Sequence, residues 1–123
     1  MTAFYPGRPP IDAYGNGGFR FAGMSHRGSL LLLPSGVYGW APSAPLAESD
    51  IRPIVAEGDE IDLLLLGTGA GRERLPAAVG DTLMRAGIQA DCMATGHAVS
   101  TYNLLLAERR RVAAALIAVA DAR

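Results

Sequence analysis

Met93-Ala94-Thr95-Gly96-His97-Ala98-Val99-Ser100-Thr101-Tyr102-Asn103-Leu104-Leu105-Leu106-Ala107-Glu108-Arg109-Arg110-Arg111 is the stretch on which the fold of this chain turns. It leaves an apolar run, turns at Thr95-Gly96 and continues as a predicted helix. Thr95 is the expected N-cap, because its hydroxyl can accept from a free backbone N–H of the first helical turn. Leu104, Leu105 and Ala107 supply an apolar face, while Thr101, Tyr102 and Asn103 place three polar side chains together. Glu108 and three arginines close the helix, where cations complement the negative end of its dipole.

The residues that follow, 112–119, admit two readings. Alanine favours helix, and no breaker lies between Arg109 and Arg111, so residues 97–121 could form one helix. A break near Arg109 is preferred, because a strand over 112–118 would complete a sheet. Its partners lie upstream. Asp62-Leu63-Leu64-Leu65-Leu66 reads as a buried strand, broken by Gly67-Thr68-Gly69-Ala70-Gly71. Leu75-Pro76 opens a helix with apolar positions at Val79, Leu83, Met84 and Ala86, and Gly87 fits its C′ position. Residues 88–93 form the next strand. This strand–helix–strand–helix–strand order predicts an α/β layer with a central, partly parallel sheet.

Further upstream, Ser49 and Asp50 are N-cap candidates for a short helix through Ile51, Ile54 and Val55, with Pro53 tolerated in its first turn. Leu30, Leu31, Leu32 and Leu33 form a short apolar run that stops at Pro34, the pattern of a strand buried on both faces. Ser35-Gly36 starts a loop carrying Val37, Tyr38 and the single tryptophan, Trp40. Residues 11–14 and 19–21 alternate in polarity around Gly15-Asn16-Gly17-Gly18, which predicts a hairpin with a four-residue connection. Residues 1–9 are expected to be a flexible lead-in to a single domain over 10–123.

The totals restrict function. A chain of 123 residues, half of them hydrophobic, suits one domain with a real core. A net charge of −1 supplies no basic field for nucleic acid. The single Cys92 excludes an intramolecular disulfide and suggests a reducing compartment. No signal pattern opens the chain and no apolar run approaches the ~18 residues of a membrane span. The expectation is a cytoplasmic protein with no direct membrane insertion.

Residues 67–71 invite a ligand reading. Glycines let backbone N–H groups approach an anion at the carboxyl end of a strand, and Arg72 and Arg74 lie close by in sequence. The motif matches neither a dinucleotide fingerprint nor a phosphate loop, and a tight turn needing permissive φ angles explains it equally. Thr101, Tyr102 and Asn103 could donate to the same ligand, or satisfy neighbouring backbone groups. Glu108 with Arg109, Arg110 and Arg111 reads as a helix-end ion-pair group before it reads as a catalytic acid with an anion clamp. His26, His97 and Cys92 do not make a metal set, so neither metal nor cofactor is expected. Cys92 lies in an apolar strand with no cation adjacent in sequence and reads as a core thiol. Tyr38 and Trp40 either anchor a partner or cover one end of the core.

Four pieces of the chain, in order, resemble a known family. Tyr14 with Gly18-Phe19 matches its opening hairpin. Leu32-Leu33-Pro34 with Val37 and Trp40 matches a second pattern. Gly67-Thr68-Gly69 followed by Glu73-Arg74-Leu75 matches its glycine turn. Thr95 with Ala98, then Thr101-Tyr102-Asn103, Leu105 and Glu108, matches its C-terminal signature. Over about residues 11–117 the chain is similar to the small α/β domain family that includes mitochondrial complex I (NADH dehydrogenase) assembly factor three. The resemblance implies a three-layer α/β/α sandwich with a mixed central sheet. It also implies that the helix ends at Glu108, where relatives commonly continue with a glycine and this chain has Arg109. Relatives often carry a cysteine where this chain has Val99, so no thiol chemistry is expected there.

The resemblance brings no catalytic residues. It implies a non-enzymatic interaction module assisting assembly of a membrane-associated respiratory complex, held peripherally at the inner membrane by respiratory-complex subunits. Tyr38, Trp40, Arg109, Arg110 and Arg111 are the expected partner surface, and self-association is compatible with it. The alternative expectation is a small-molecule or anion site built from Gly67, Thr68, Gly69, Arg74, Thr95, Thr101, Tyr102 and Asn103.

Overall fold

The alanine-rich segment after Arg111 is a strand, and it lies at the centre of the molecule. A computed structural model describes residues 2–121. Its strands are β1 (Tyr5–Pro6), β2 (Ile11–Gly15), β3 (Gly18–Phe21), β4 (Met24–Arg27), β5 (Ser29–Leu33), β6 (Gly36–Trp40), β7 (Leu63–Gly67), β8 (Gln89–Met93) and β9 (Val112–Leu116). Its helices are α1 (Arg52–Val55), α2 (Ala77–Arg85) and α3 (Thr95–Ala107). A six-stranded sheet runs β1-β6-β5-β9-β7-β8, and a three-stranded sheet runs β2-β3-β4. β9 pairs antiparallel with β5 and parallel with β7, which in turn is parallel to β8. The sheet is therefore mixed, with residues 63–67, 89–93 and 112–116 as neighbours.

Every residue of β9 is buried. A strand enclosed on both faces and both edges gains more from burial than alanine gains from helix propensity. Alternate residues serve opposite layers. Leu31, Leu33, Leu64, Leu66, Ala113 and Ala115 pack with Ile51, Ile54, Val79 and Leu83 of the α1–α2 layer. Leu30, Leu32, Leu65, Ala114 and Leu116 pack with Ala98, Val99 and Tyr102 of α3 and with Phe19 and Phe21 of the small sheet. The result is a three-layer α/β/α sandwich whose second outer layer is completed by the hairpin sheet.

The break between α3 and β9 has an identifiable cause. Arg110 N–H donates to Leu105 O at 3.0 Å and Arg109 N–H to Leu106 O at 3.0 Å, the paired bonds of a Schellman end. Such an end needs a left-handed residue, and Arg109 sits at φ 60°. α2 ends in the same way, with Gly87 at φ 78° in the equivalent place. Arg109 carries the side-chain penalty that Gly87 avoids. Arg109→Gly is therefore expected to stabilise the fold by about 1 kcal/mol, read as a higher denaturant midpoint at unchanged slope. An unchanged or lower midpoint would contradict this account of the break.

Several local expectations are corrected. The hairpin connection is two residues, Asn16 and Gly17, because both take positive φ (54° and 77°) and let Gly15 pair with Gly18. A second turn of the same kind, Ala22-Gly23, feeds β4, a strand beyond those expected. Only Met24 and His26 of that strand are even half-buried, so it carries little apolar signal. Residues 36–40 are a strand paired along β5, not a loop. The expected lead-in lies against the domain: Tyr5 pairs with Val37, and Arg8 donates to Val112 O at 2.7 Å. Met84 is 73% exposed rather than part of the α2 stripe. Ser49 and Asp50 lie within a 3-10 turn (Glu48–Ile51) ahead of α1, and Asp50 accepts from Ala47 N–H at 2.8 Å.

Candidate functional site

Residues 67–71 leave the carboxyl end of β7 beside the start of α3. Gly67 is buried, and a Cβ there would meet Thr95 Cα and Oγ1 at 3.0 Å and Leu116 Cδ2 at 3.1 Å. Gly69 has φ 101°, a conformation that side chains resist. Both glycines are needed, for different reasons.

Two threonines tie this turn. Thr68 Oγ1 lies 2.7 Å from Gly71 O and 3.2 Å from Met93 O, and accepts from Glu73 N–H. Thr95 Oγ1 donates to Ile117 O at 2.7 Å and accepts from Gly69 N–H at 3.0 Å. Thr95 N–H donates to Gly69 O, and Ile117 N–H to Gly67 O. Thr95 thus joins the exit of β7, the start of α3 and the exit of β9. This corrects its expected N-cap role: Ala94 holds the cap position and Thr95 is already helical. Its hydroxyl works across segments instead of within the helix.

A cleft of about 580 Å3 opens beside the turn, touched by Gly69, Ala70, Gly96, His97 and Tyr14. Of the eight expected pocket residues, only Gly69 reaches it. Arg74 is exposed in the loop beyond. Tyr102 is fully buried and donates to Pro9 O at 2.8 Å. Asn103 grips Ile11 through both its amide atoms, accepting from the N–H and donating to the C=O at 2.8 Å each. The turn and the Tyr102–Asn103 pair therefore do not converge on one pocket. They bind separate parts of the chain to α3.

Burial pushes the Tyr102 phenol far above its ordinary range, against a smaller opposing effect of Arg8. An unfolded chain ionises tyrosine near about pH 10. Above that, the unfolded state loses a proton that folded Tyr102 keeps. The stability it contributes is present below about pH 10 and falls as pH rises, by up to about 1.4 kcal/mol per unit. Tyr102→Phe should remove that part of the alkaline slope and cost about 1–3 kcal/mol at neutral pH, since Pro9 O loses its donor. Denaturant titrations across the alkaline range test both, and identical slopes would contradict the assignment.

The expected partner surface divides. Tyr38 is buried and hydrogen-bonds Ser35 Oγ through its hydroxyl. Trp40 is half-buried, and its Nε1 donates to Asp50 O at 3.0 Å. Both belong to β6 and cover the α1–α2 core, the second of the two readings open for them. Arg109, Arg110 and Arg111 are exposed. Arg111 pairs with Asp62 at 3.4 Å and also bonds Asp59 O.

Cys92 is half-buried in β8. Burial raises its thiol pKa, and Arg72 opposes that rise. Arg72 Nε donates to Cys92 O at 3.0 Å, a cation that adjacency in sequence did not place there. No group of His, Cys, Asp and Glu among the described residues could hold a metal ion. Among the described residues, the large exposed apolar side chains are Phe4, Tyr5, Met84 and Leu104. For Met84 the signal was available, since it sits one turn from Gly80 and Asp81, off the Val79–Leu83 stripe.

The strand order and layering define a Mth938-like α/β domain. A Bordetella pertussis protein of that fold superposes with a TM-score of 0.79 at 24% identity, over 93% of this chain and 88% of that one. The chain belongs to the family described as protein of unknown function (DUF498/DUF598), whose model matches residues 11–117. A crystal structure described as an outer membrane protein from Bartonella henselae is 53% identical, with a TM-score of 0.91 over 94% of this chain and 98% of that one. An uncharacterized Rhodobacter capsulatus protein is 40% identical over 92% of this chain and 87% of its own length. NADH dehydrogenase [ubiquinone] 1 alpha subcomplex assembly factor 3 of Danio rerio is 33% identical over 87% of this chain. The chain spans only 63% of that factor's length.

Proposed function

We propose that this protein is a non-enzymatic interaction module that assists assembly of a membrane-associated, complex I-like respiratory complex. The observation that carries the proposal is the similarity of nearly the whole domain to assembly factor 3, at 33% identity to the fish protein and 31% to the human one. The geometry supports it. The polar groups of the turn and of α3 act as internal ties, and the exposed arginines at 109–111 suit contact with a partner.

No helix among the described residues is long and apolar enough to cross a membrane. Contact with protein subunits would then bring the module to the inner membrane. The test is purification of the tagged full-length chain from gently solubilised membranes of its own organism. The expected result is stoichiometric co-purification of NADH dehydrogenase subunits, reduced when Arg109 and Arg110 are replaced by glutamate at unchanged stability. Recovery free of those subunits would oppose the proposal.

A further inference from the structure

Met84 lines a cleft of about 570 Å3 between α2 and the outer edge of the large sheet, with Leu75, Ala77, Ile88 and Ala90 as apolar walls and Asp81 beside them. That edge is β8, the last strand of the six. Its ladder shows which main-chain groups face outward. Gln89 N–H donates to Asp62 O, and Met93 O accepts from Thr68 N–H. Alternation then turns Gln89, Asp91 and Met93 toward β7, and Ala90 and Cys92 outward. Arg72 reaches Cys92 O from the outside, which agrees. The outward set is therefore the N–H and C=O of Ala90 and the N–H of Cys92, with Arg72 covering the fourth group.

The side chains along this edge differ by face. Ala90 and Cys92 pack with the α2 layer, where the cleft lies, whereas Met93 packs with the α3 layer. Asp91 shares the face of Met93 and is exposed. Neither Asp81 nor Asp91 has an ion-pair partner among the described residues. The neighbouring arginines bond uncharged groups, Arg72 the Cys92 O of this edge and Arg85 the Thr82 Oγ1, and neither pairs with Asp81 or Asp91.

We propose that the β8 edge is the docking site for an extended partner segment that alternates apolar and basic residues. Its main chain pairs with Ala90 and Cys92 as an added strand. One apolar side chain enters the cleft against Leu75, Met84 and Ile88. The next residue, on the opposite face, places a lysine or arginine against Asp91. Charge selects this occupant over a second copy of the chain. The register in which two copies pair through both Ala90 and Cys92 sets Asp91 directly opposite its own copy, and like charges so placed repel. This proposal rests on the interaction-module reading and names where a partner binds.

The test uses the full chain and a capped heptapeptide of alternating lysine and valine, followed by amide chemical shifts. The expected result is saturable shifts at Met84, Ala90 and Cys92. Ala90→Pro removes a donor that points outward and leaves the ladder to β7 intact, so binding should fall by at least ~10-fold in a folded protein. Asp91→Lys, an exposed substitution that keeps the test open should the proline variant misfold, should weaken binding about threefold. A glutamate-for-lysine peptide should show the opposite preference. Shifts confined to another surface, no saturable binding, or equal affinity for the two peptides would overturn the proposal. A concentration-dependent dimer that protects the Ala90 and Cys92 amides would assign the edge to a second copy and overturn it too. Failure here with respiratory assembly still dependent on the protein would move the partner to another face and leave the module reading standing.

Discussion

Gly67→Val is expected to destabilise the protein by about 1–3 kcal/mol, and toward the top of that range because the nearest atoms belong to the tied Thr95. The new Cβ meets the backbone of Thr95, which cannot rotate away, and its hydroxyl, which is held by two hydrogen bonds. Leu116 closes the third side. The cost is therefore steric, and it falls on the junction of β7, α3 and β9. Gly69→Val should also destabilise, by backbone strain at φ 101°, since only Ile117 Cγ2 comes within 4.0 Å. Gly71 is the control: a Cβ there meets nothing within 4 Å. Gly71→Val should stay within about 0.5 kcal/mol of the parent. Urea titrations of the three variants decide this, and a Gly67 variant as stable as the Gly71 variant would sink the packing account.

Thr95→Val is expected to cost about 2–4 kcal/mol, because one substitution of nearly equal volume removes both hydrogen bonds of a fully buried hydroxyl. Ile117 O and Gly69 N–H would each lose a partner, and neither gains one from a methyl group. Thr95→Ser keeps the hydroxyl and should recover most of the loss. Were Thr95 merely an N-cap, valine would cost about 1 kcal/mol, in keeping with an exposed cap. Equal stabilities for the serine and valine variants would show that the hydroxyl does not join the three segments.

What the sequence made legible follows from where the physics is local. The runs at 30–33 and 62–66 announce buried strands because consecutive leucines cannot be solvated on either face. Gly87 marks a helix end because only glycine takes left-handed φ without penalty. Arg109 does the same work without the signal, so the end of α3 is legible only from the strand needed to complete the sheet and from the family resemblance, not from the residue. Tyr38 and Trp40 looked like a loop because Ser35-Gly36 resembles a loop start. Pairing with β5 made them a strand, and that pairing is invisible in a window of a few residues. The expected pocket residues are dispersed for a related reason. Thr101, Tyr102 and Asn103 are adjacent in sequence, but successive helical residues point 100° apart, and their partners Pro9 and Ile11 lie more than ninety positions away. The cleft beside Met84 and the edge of β8 depend on strand order, which no single stretch encodes.

The measurement that bears most directly on the central claim is the level of assembled NADH dehydrogenase in a strain of the native organism lacking this gene. Native gels and NADH oxidation by membranes would report it. The account predicts a marked loss of assembled enzyme with its soluble subunits still present. Wild-type protein should restore assembly, whereas a folded variant with Arg109 and Arg110 replaced by glutamate should not restore it fully. Wild-type levels of assembled enzyme in the deletion strain would contradict the account for this protein.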